Sequence, residues 1–142
     1  IDYTKPSTEK RFYILDLLQK KLLLSTYVAH GRGSGDNYAV AFSNRPGSYQ
    51  SSLGFFRTGD TYMGKNGYSL FLDGLEKGIN DKARERAIVV HGANYADPAV
   101  LKGQQRLGRS LGCPALPPDI SKQVIDTIKG GVLLYIYGLN KA

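Results

Sequence analysis

Gly108-Arg109-Ser110-Leu111-Gly112-Cys113-Pro114 contains the only cysteine of the 142-residue chain. Upstream, an apolar run ends in a histidine at Val89-Val90-His91-Gly92. A free thiol has a pKa of about 8.5, so it needs a base to become a good nucleophile, and a nearby imidazole can take its proton. The two stretches therefore indicate Cys113 as nucleophile and His91 as base. The alternative is a buried, inert cysteine and a packed histidine.

The residues around the cysteine favour a reactive site. Gly112 leaves the backbone open to close approach by a substrate, and Ser110 and Arg109 supply hydrogen-bond donors. A residue before proline is pushed out of the α region, which predicts an extended segment or turn at Cys113. We therefore expect His91, rather than a helix N-terminus, to lower the pKa of the thiol.

Composition indicates one mainly β domain over residues 1–142, with residues 1–10 as a polar leading arm. The chain has 17 glycines, 10 tyrosines and no tryptophan, a mixture that favours strands and tight turns. A single cysteine excludes an internal disulfide. No apolar run is long enough to span a membrane, so no stable membrane insertion is expected. The sequence opens at Ile1 without a signal peptide, which we interpret as a mature or trimmed chain.

The net charge of +7 comes from scattered basic residues, 19 against 12 acidic ones. No basic block or nucleic-acid-binding signature is present, so nucleic acid is not an expected partner. A polyanionic surface such as a cell wall or envelope fits the charge as well as a merely soluble basic surface does. The set His30, Asp36 and His91 lacks the close spacing of known metal motifs, so no metal is expected.

Hydrophobic patterning predicts a series of short strands and one helix of note. We expect a hairpin from residues 12–18 and 22–29, and further strands over 39–42, 51–57, 68–72, 87–90 and 132–137. Turns are expected over 44–47 and 58–60, an exposed loop over 62–67, and a helical turn over 80–86. The dipeptide Asp97-Pro98 predicts a short helix over 98–102. Asp119 is expected to cap a helix over 120–129 that ends at Gly130-Gly131.

The order His91-Gly92, then Ser110-Leu111-Gly112-Cys113, resembles the signature of the L,D-transpeptidase catalytic domain, known as the YkuD fold. That signature is a histidine followed, after a variable loop, by Ser/Thr-His-Gly-Cys. The stretch 108–115 is similar to the Gly-Arg-Ser-x-Gly-Cys-Pro-Ala ending of the murein L,D-transpeptidase subgroup. Residues 52–56 and 12–31 resemble a strand and the opening hairpin of that fold. The resemblance implies a YkuD-like β-sandwich or mixed sheets.

The resemblance also implies a function, which is acyl transfer on peptidoglycan stem peptides in the periplasm or cell envelope, without a metal or organic cofactor. Cys113 and His91 would be catalytic, and the backbone N–H groups of Gly112 and Cys113 would stabilise the oxyanion. Ser110 would orient His91 or shape the turn. Side chains that could bind substrate are Arg109, His30, Tyr95 and Tyr62. Two alternatives stay open, an L,D-carboxypeptidase that uses water as acceptor and a non-catalytic wall-binding domain. The oligomeric state is not indicated.

Two positions depart from the family pattern. Leu111 stands where a second histidine is common, and Pro114-Ala115 stands where a hydrophobic residue followed by Arg or Asn is often found. His30 is a candidate for the missing imidazole. Chain order distinguishes this sequence from other cysteine enzymes, because NlpC/P60 and papain-like enzymes place Cys before His. Sortases require a later catalytic arginine, and no arginine follows Cys113 here.

Overall fold

A computed structural model describes residues 1–141 and confirms a mainly β fold with one α-helix near the C-terminus. The strands are β1 (Phe12–Asp16), β2 (Lys21–Thr26), β3 (Gly54–Gly64), β4 (Gly67–Gly74), β5 (Val89–Gly92), β6 (Ala115–Leu116) and β7 (Leu133–Ile136). The helix α1 covers Pro118–Ile128, and short 3-10 turns cover Arg32–Ser34, Asn94–Ala96 and Pro98–Lys102. Within residues 1–141, no helix has the length and apolar character needed to cross a membrane.

The strands form a two-stranded hairpin, β1-β2, and a curled five-stranded sheet in the order β6-β5-β4-β3-β7. All neighbours in the large sheet are antiparallel except β5 and β6, which are parallel. One face of this sheet, with α1 and the hairpin, encloses the core. Its largest members with almost no exposure include Tyr3, Phe12, Phe56, Leu70, Leu72, Leu116 and Ile125.

Residues 1–10 pack against the fold rather than leaving it. Asp2 forms a parallel bridge with Tyr137, and the Tyr3 N–H donates to the Tyr137 carbonyl at 2.8 Å. The Tyr3 side chain is fully buried beside Arg11, whose guanidinium lies over its ring, 4.8 Å from the centroid. The first three residues therefore extend the outer edge of β7.

Three local predictions were wrong. Residues 39–42 form no strand, although Ala39 is buried. The turn expected over 58–60 is instead part of β3. The loop expected over 62–67 is reduced to a tight turn at residues 65–66, between the end of β3 at Gly64 and the start of β4 at Gly67. A register shift between Thr58 and Thr61 accommodates Gly59-Asp60, so pairing with β4 overrides the turn-forming tendency of these residues. The helical turn expected over 80–86 corresponds to hydrogen-bonded turns, in which the Arg86 N–H donates to the Lys82 carbonyl at 2.9 Å.

The helix predictions hold with a shifted start. The 3-10 turn over Pro98–Lys102 is present, and the Asp97 side chain accepts a hydrogen bond from the Ala99 N–H at 2.9 Å. Helix α1 begins at Pro118, so Asp119 lies in its first turn instead of capping it. Proline fits the first helical position because its missing N–H would have no partner inside the helix.

Thr58 of β3 forms hydrogen bonds with the backbone at the end of α1. Its buried hydroxyl donates to the Ile128 carbonyl at 2.6 Å and accepts from the Val132 N–H at 2.8 Å and the Gly131 N–H at 3.2 Å. This one oxygen bonds to three backbone groups where the helix returns to the sheet, and the Gly131 N–H also donates to the Thr58 carbonyl at 2.8 Å. It explains why a residue that looks like a turn former is buried.

The Thr58→Val variant is expected to lower the free energy of unfolding by about 2 kcal/mol, because the Ile128 carbonyl and the Val132 N–H lose their partner. Urea denaturation followed by circular dichroism measures the change. Thr127→Val is the matched control, since the Thr127 hydroxyl is exposed and only donates to the Gln123 carbonyl of its own helix. Equal losses in both variants would contradict this role for Thr58.

Candidate active site

Strand β5 positions His91 on the face of the sheet opposite the main core. Val90 points into that core, so its neighbour His91 points away from it. His91 is 3% exposed, and Nδ1 of its ring lies 2.9 Å from the Gly92 carbonyl oxygen. A carbonyl only accepts, so Nδ1 carries the proton, and Nε2 keeps its lone pair with no hydrogen-bond partner among residues 1–141. Burial lowers the pKa of His91, against the opposing effect of the Gly92 carbonyl. His91 is therefore a neutral imidazole with a nitrogen available as base.

The loop that carries Cys113 lies against the segment after the β2 strand. The Ser110 N–H donates to the His30 carbonyl at 3.0 Å, and the Arg32 N–H donates to the Ser110 carbonyl at 2.8 Å. Gly31 approaches Gly112 so closely that a Cβ on Gly31 would lie 2.9 Å from the Gly112 Cα. These contacts hold the loop at the edge of the sheet.

Ser110 shapes the turn before Cys113. Its hydroxyl donates to the Cys113 carbonyl at 2.6 Å and accepts from the Gly112 N–H at 3.1 Å. Of the two roles predicted for this side chain, the turn accounts for all its hydrogen bonds among the described residues, and none goes to His91. The Gly112 N–H is thus occupied, whereas the Cys113 N–H has no acceptor in the same part of the chain. Cys113 is the more available of the two predicted oxyanion donors.

The Cys113 thiol contacts the backbone at the start of β5. Its sulfur lies 3.4 Å from the Val89 N–H nitrogen, which donates to it, and 3.4 Å from the Ala87 carbonyl oxygen, which accepts from it. Pairing of His91 with Ala115 across β5 and β6 places Cys113 and His91 on neighbouring chain segments. The sulfur has no hydrogen bond to the His91 ring within residues 1–141.

Burial raises the pKa of the Cys113 thiol, and the Val89 N–H and the positive charges of Arg86 and Lys65 lower it by less. The resting pair is therefore a neutral thiol and a neutral imidazole. The sequence led us to expect a thiolate stabilised by His91, and this arrangement does not provide one. His91 can act as a base only after the thiol turns from the Ala87 carbonyl towards the ring.

Two predicted substrate-binding residues are engaged elsewhere. His30 is 1% exposed, and its Nδ1 accepts from the Arg11 guanidinium at 2.9 Å while its Nε2 donates to the Gly35 carbonyl at 3.1 Å. Both nitrogens are used, so we correct the expectation that His30 meets substrate or replaces a second histidine. Arg109 forms an ion pair with Asp36 at 3.0 Å and contacts the Gly35 carbonyl. The ion pair gives Arg109 a role in holding the loop.

The buried neutral state of His30 makes stability depend on pH. Burial, together with the positive charge of Arg11, lowers the pKa of His30 to about 4 from an ordinary 6.5. The unfolded chain therefore binds the proton first, and stability is full above pH 6.5 and is lost as the pH falls towards 4. At 1.36 kcal/mol per pKa unit, we expect a loss of roughly 3 kcal/mol.

Urea denaturation between pH 7.5 and 4.5 measures this dependence. The control is His30→Gln, because a glutamine amide can also accept from Arg11 and donate to Gly35 but does not titrate. We expect a clearly flatter pH dependence in the variant. If the free energy of unfolding falls with pH equally in the wild type and the variant, the acid sensitivity comes from other groups.

The two predicted tyrosines have different positions. Tyr95 is half-buried and packs beside the Cys113 loop, where a Cβ on Gly108 would clash with it. Burial and the nearby Cys113 raise the pKa of Tyr95 to about 12, so it is a neutral phenol. Tyr62 of β3 pairs with Ser69 of β4, which pairs with His91 of β5, so the three residues lie side by side across the sheet. Tyr62 is therefore about 10 Å from β5. Its ring stacks on Phe71 at 4.3 Å.

Sequence reasoning missed several residues of this region. Ser69 lies between Tyr62 and His91 across the sheet, Ala87 and Val89 contact the thiol, and Arg86 lies near Gly112. Leu111, in place of a histidine, is 54% exposed, and Ala115 is buried in β6. The only signal for Arg86 was its place just before the apolar run that ends at His91.

A groove of about 350 Å³ lies beside Gly92, at the end of β5. It lies between the tip of the β3–β4 hairpin and the start of α1, and its lining includes Lys65, Asn66, Gly92, Asn94 and Ser121. A larger groove of about 490 Å³ lies between the β1–β2 hairpin and β7, and its lining is mainly apolar and includes none of the candidate residues. Of these two grooves, the smaller one borders β5 at Gly92, and its lining includes neither His91 nor Cys113.

One solved structure supports the fold, and a second aligns more weakly. The structure is similar to that of the helical cell shape determining protein Pgp2 from Campylobacter jejuni, with a TM-score of 0.56 and 14% identity over 85% of this chain and 41% of that one. An L,D-transpeptidase from Mycobacterium smegmatis aligns with a TM-score of 0.48 and 13% identity over 83% of this chain. The chain spans 41% and 50% of the lengths of these two proteins. A search of curated protein sequences returns no significant match.

The sequence comparison covers almost the whole chain. Residues 1–137 match the model of the L,D-transpeptidase catalytic domain, so the match includes β5, the Cys113 loop and all the elements that position them. By this match, the chain belongs to the L,D-transpeptidase catalytic domain family.

Proposed function

We propose that this chain is a cysteine-dependent L,D-transpeptidase that acts on peptidoglycan stem peptides. The observation that carries the proposal is the position of the single thiol. Its sulfur rests 3.4 Å from the backbone of the strand that also presents a neutral His91 with an available Nε2. A nucleophile and a base on adjoining segments are what thiol acyl transfer requires.

The first half of the reaction forms a thioester. The thiol turns from the Ala87 carbonyl to Nε2 of His91 and gives up its proton, and the sulfur attacks the carbonyl at the L-centre of a diamino acid followed by D-Ala. The Cys113 N–H stabilises the oxyanion, a contribution typically worth about 3 kcal/mol per donor. His91 then returns the proton to the amine of D-Ala as the C–N bond breaks, and the tripeptide remains bound to sulfur.

The second half passes the acyl group on. An amine from a second stem peptide attacks the thioester, His91 accepts the amine proton, and the sulfur leaves and is reprotonated. The products are a cross-linked dimer and the free thiol. Water in place of the amine would yield a trimmed tripeptide, which is the L,D-carboxypeptidase outcome. We infer that the reaction takes place at the cell envelope, where the net charge of +7 suits a polyanionic wall.

Mass spectrometry of the chain incubated with disaccharide-tetrapeptide fragments tests the proposal. Cross-linked dimers are the expected product, and fragmentation identifies the new bond. Tripeptide with free D-Ala and no dimer would reassign the chain as an L,D-carboxypeptidase. Absence of both products, with a folded protein, would contradict catalysis and favour the wall-binding alternative.

A further inference from the structure

The turn before β5 places Arg86 close to the Cys113 loop. The Ile88 N–H donates to the Ala83 carbonyl at 2.9 Å, and the Ala87 N–H donates to the Arg84 carbonyl at 3.0 Å. With Ala87 at φ 56°, this is the hydrogen-bond pattern of a Schellman motif. The motif reverses the chain, so that Arg86 is followed directly by the Ala87 carbonyl that contacts the thiol.

The Arg86 guanidinium binds one loop at four points. Nη1 donates to the Ser43 carbonyl at 2.9 Å and the Ser52 hydroxyl at 2.7 Å, and Nη2 donates to the Gln50 carbonyl at 2.8 Å and the Ser48 hydroxyl at 3.2 Å. All four acceptors lie in residues 43–52, which have no regular secondary structure of their own. The side chain therefore holds this segment in place.

Arg86 also keeps an uncompensated positive charge. Its four acceptors are neutral, and no carboxylate lies within ion-pair distance of it in residues 1–141. By contrast, Arg84 is paired with Asp73 and Arg109 with Asp36. A half-buried cation without a counter-ion favours an anion nearby.

The charge lies next to the residue that precedes the nucleophile. A Cβ on Gly112 would be 3.5 Å from Nη2 of Arg86 and 3.1 Å from the Gln50 carbonyl that Arg86 holds. Gly112 has φ 126°, so this close approach also needs a glycine. The guanidinium and its loop thus form one wall of the Cys113 site.

We propose that Arg86 is a positioning residue of this site, which holds residues 43–52 against Gly112 and places a positive charge beside the Cys113 thiolate. The inference rests on the proposed function only in taking the thiolate as the reacting form. The direction of the charge effect agrees with the lowering of the pKa of Cys113 by Arg86.

The pH dependence of Cys113 alkylation by iodoacetamide gives the thiol pKa without any peptidoglycan. Arg86→Gln is expected to raise that pKa by about one unit, which slows alkylation at pH 7 about tenfold. Arg84→Gln, two positions earlier in the same turn, is the matched control and should keep the wild-type value. An Arg86→Gln protein with a native circular dichroism spectrum and an unchanged thiol pKa would overturn the proposal.

The Arg86→Lys variant distinguishes the effect of the charge from that of the four hydrogen bonds. It also replaces Arg86→Gln as the test if that variant does not fold. A lysine keeps the charge but cannot bridge four acceptors. We expect hydrogen exchange of residues 43–52 to speed up at least about tenfold, with a smaller rise of the thiol pKa. Wild-type values for both would overturn the proposal. If the wild-type protein shows no transpeptidation but the Arg86 variants show the expected changes in thiol pKa and hydrogen exchange, the proposed function is refuted and the inference about Arg86 stands.

Discussion

Replacing Cys113 by alanine is expected to reduce product formation at least about a thousandfold, with dimers and trimmed tripeptide lost together. Both outcomes pass through the same thioester, so no route remains without the sulfur. Time courses of product formation from disaccharide-tetrapeptide fragments, analysed by mass spectrometry, measure the loss.

Cys113→Ser is the matched control for structure. A serine hydroxyl can still accept from the Val89 N–H and donate to the Ala87 carbonyl, so the loop keeps its contacts while the nucleophile becomes much weaker. We expect a wild-type melting temperature and little activity. Alanine or serine variants that retain more than about one tenth of the wild-type rate would show that another group carries the acyl chain.

Replacing His91 by asparagine is expected to lower kcat/KM by about 10²- to 10⁴-fold, which is the usual contribution of a general base. An asparagine amide can still donate to the Gly92 carbonyl, as Nδ1 of His91 does, but it offers no basic nitrogen to the thiol. The measurement is the rate of D-Ala release at several pH values.

The pH profile distinguishes a base from a packing residue. His91 acts in its neutral form, so wild-type activity should fall as the pH drops through its pKa, which burial places below the ordinary 6.5. The asparagine variant should lose this acidic limb. A variant that is slower by a constant factor, with the acidic limb intact, would make His91 a structural residue only.

The sequence predicted elements whose signals are local. The β1–β2 hairpin, the apolar run of β5 and the Asp97-Pro98 turn depend on neighbouring residues, and their positions were close to those observed. The same holds for the order of His91 and Cys113, which carried the family resemblance. Local patterns are sufficient for such features because the contacts that form them are close in the chain.

The sequence could not predict features that depend on distant partners. Gly59-Asp60 looks like a turn, but pairing with β4 turns it into an irregularity within a long strand. His30 sits where a site residue could be, but Arg11 and Gly35 take up both of its nitrogens. The thiol of Cys113 contacts Ala87 and Val89, and no spacing rule relates these positions. Such contacts follow from the packing of the whole chain.

The intact mass of the protein after brief mixing with a tetrapeptide donor, in the absence of an acceptor, tests the central claim most directly. We predict a covalent adduct whose mass equals the donor minus D-Ala, located on Cys113 by peptide mapping and absent from Cys113→Ala. A donor that is consumed while the protein mass stays unchanged, or an adduct on another residue, would contradict a Cys113 thioester.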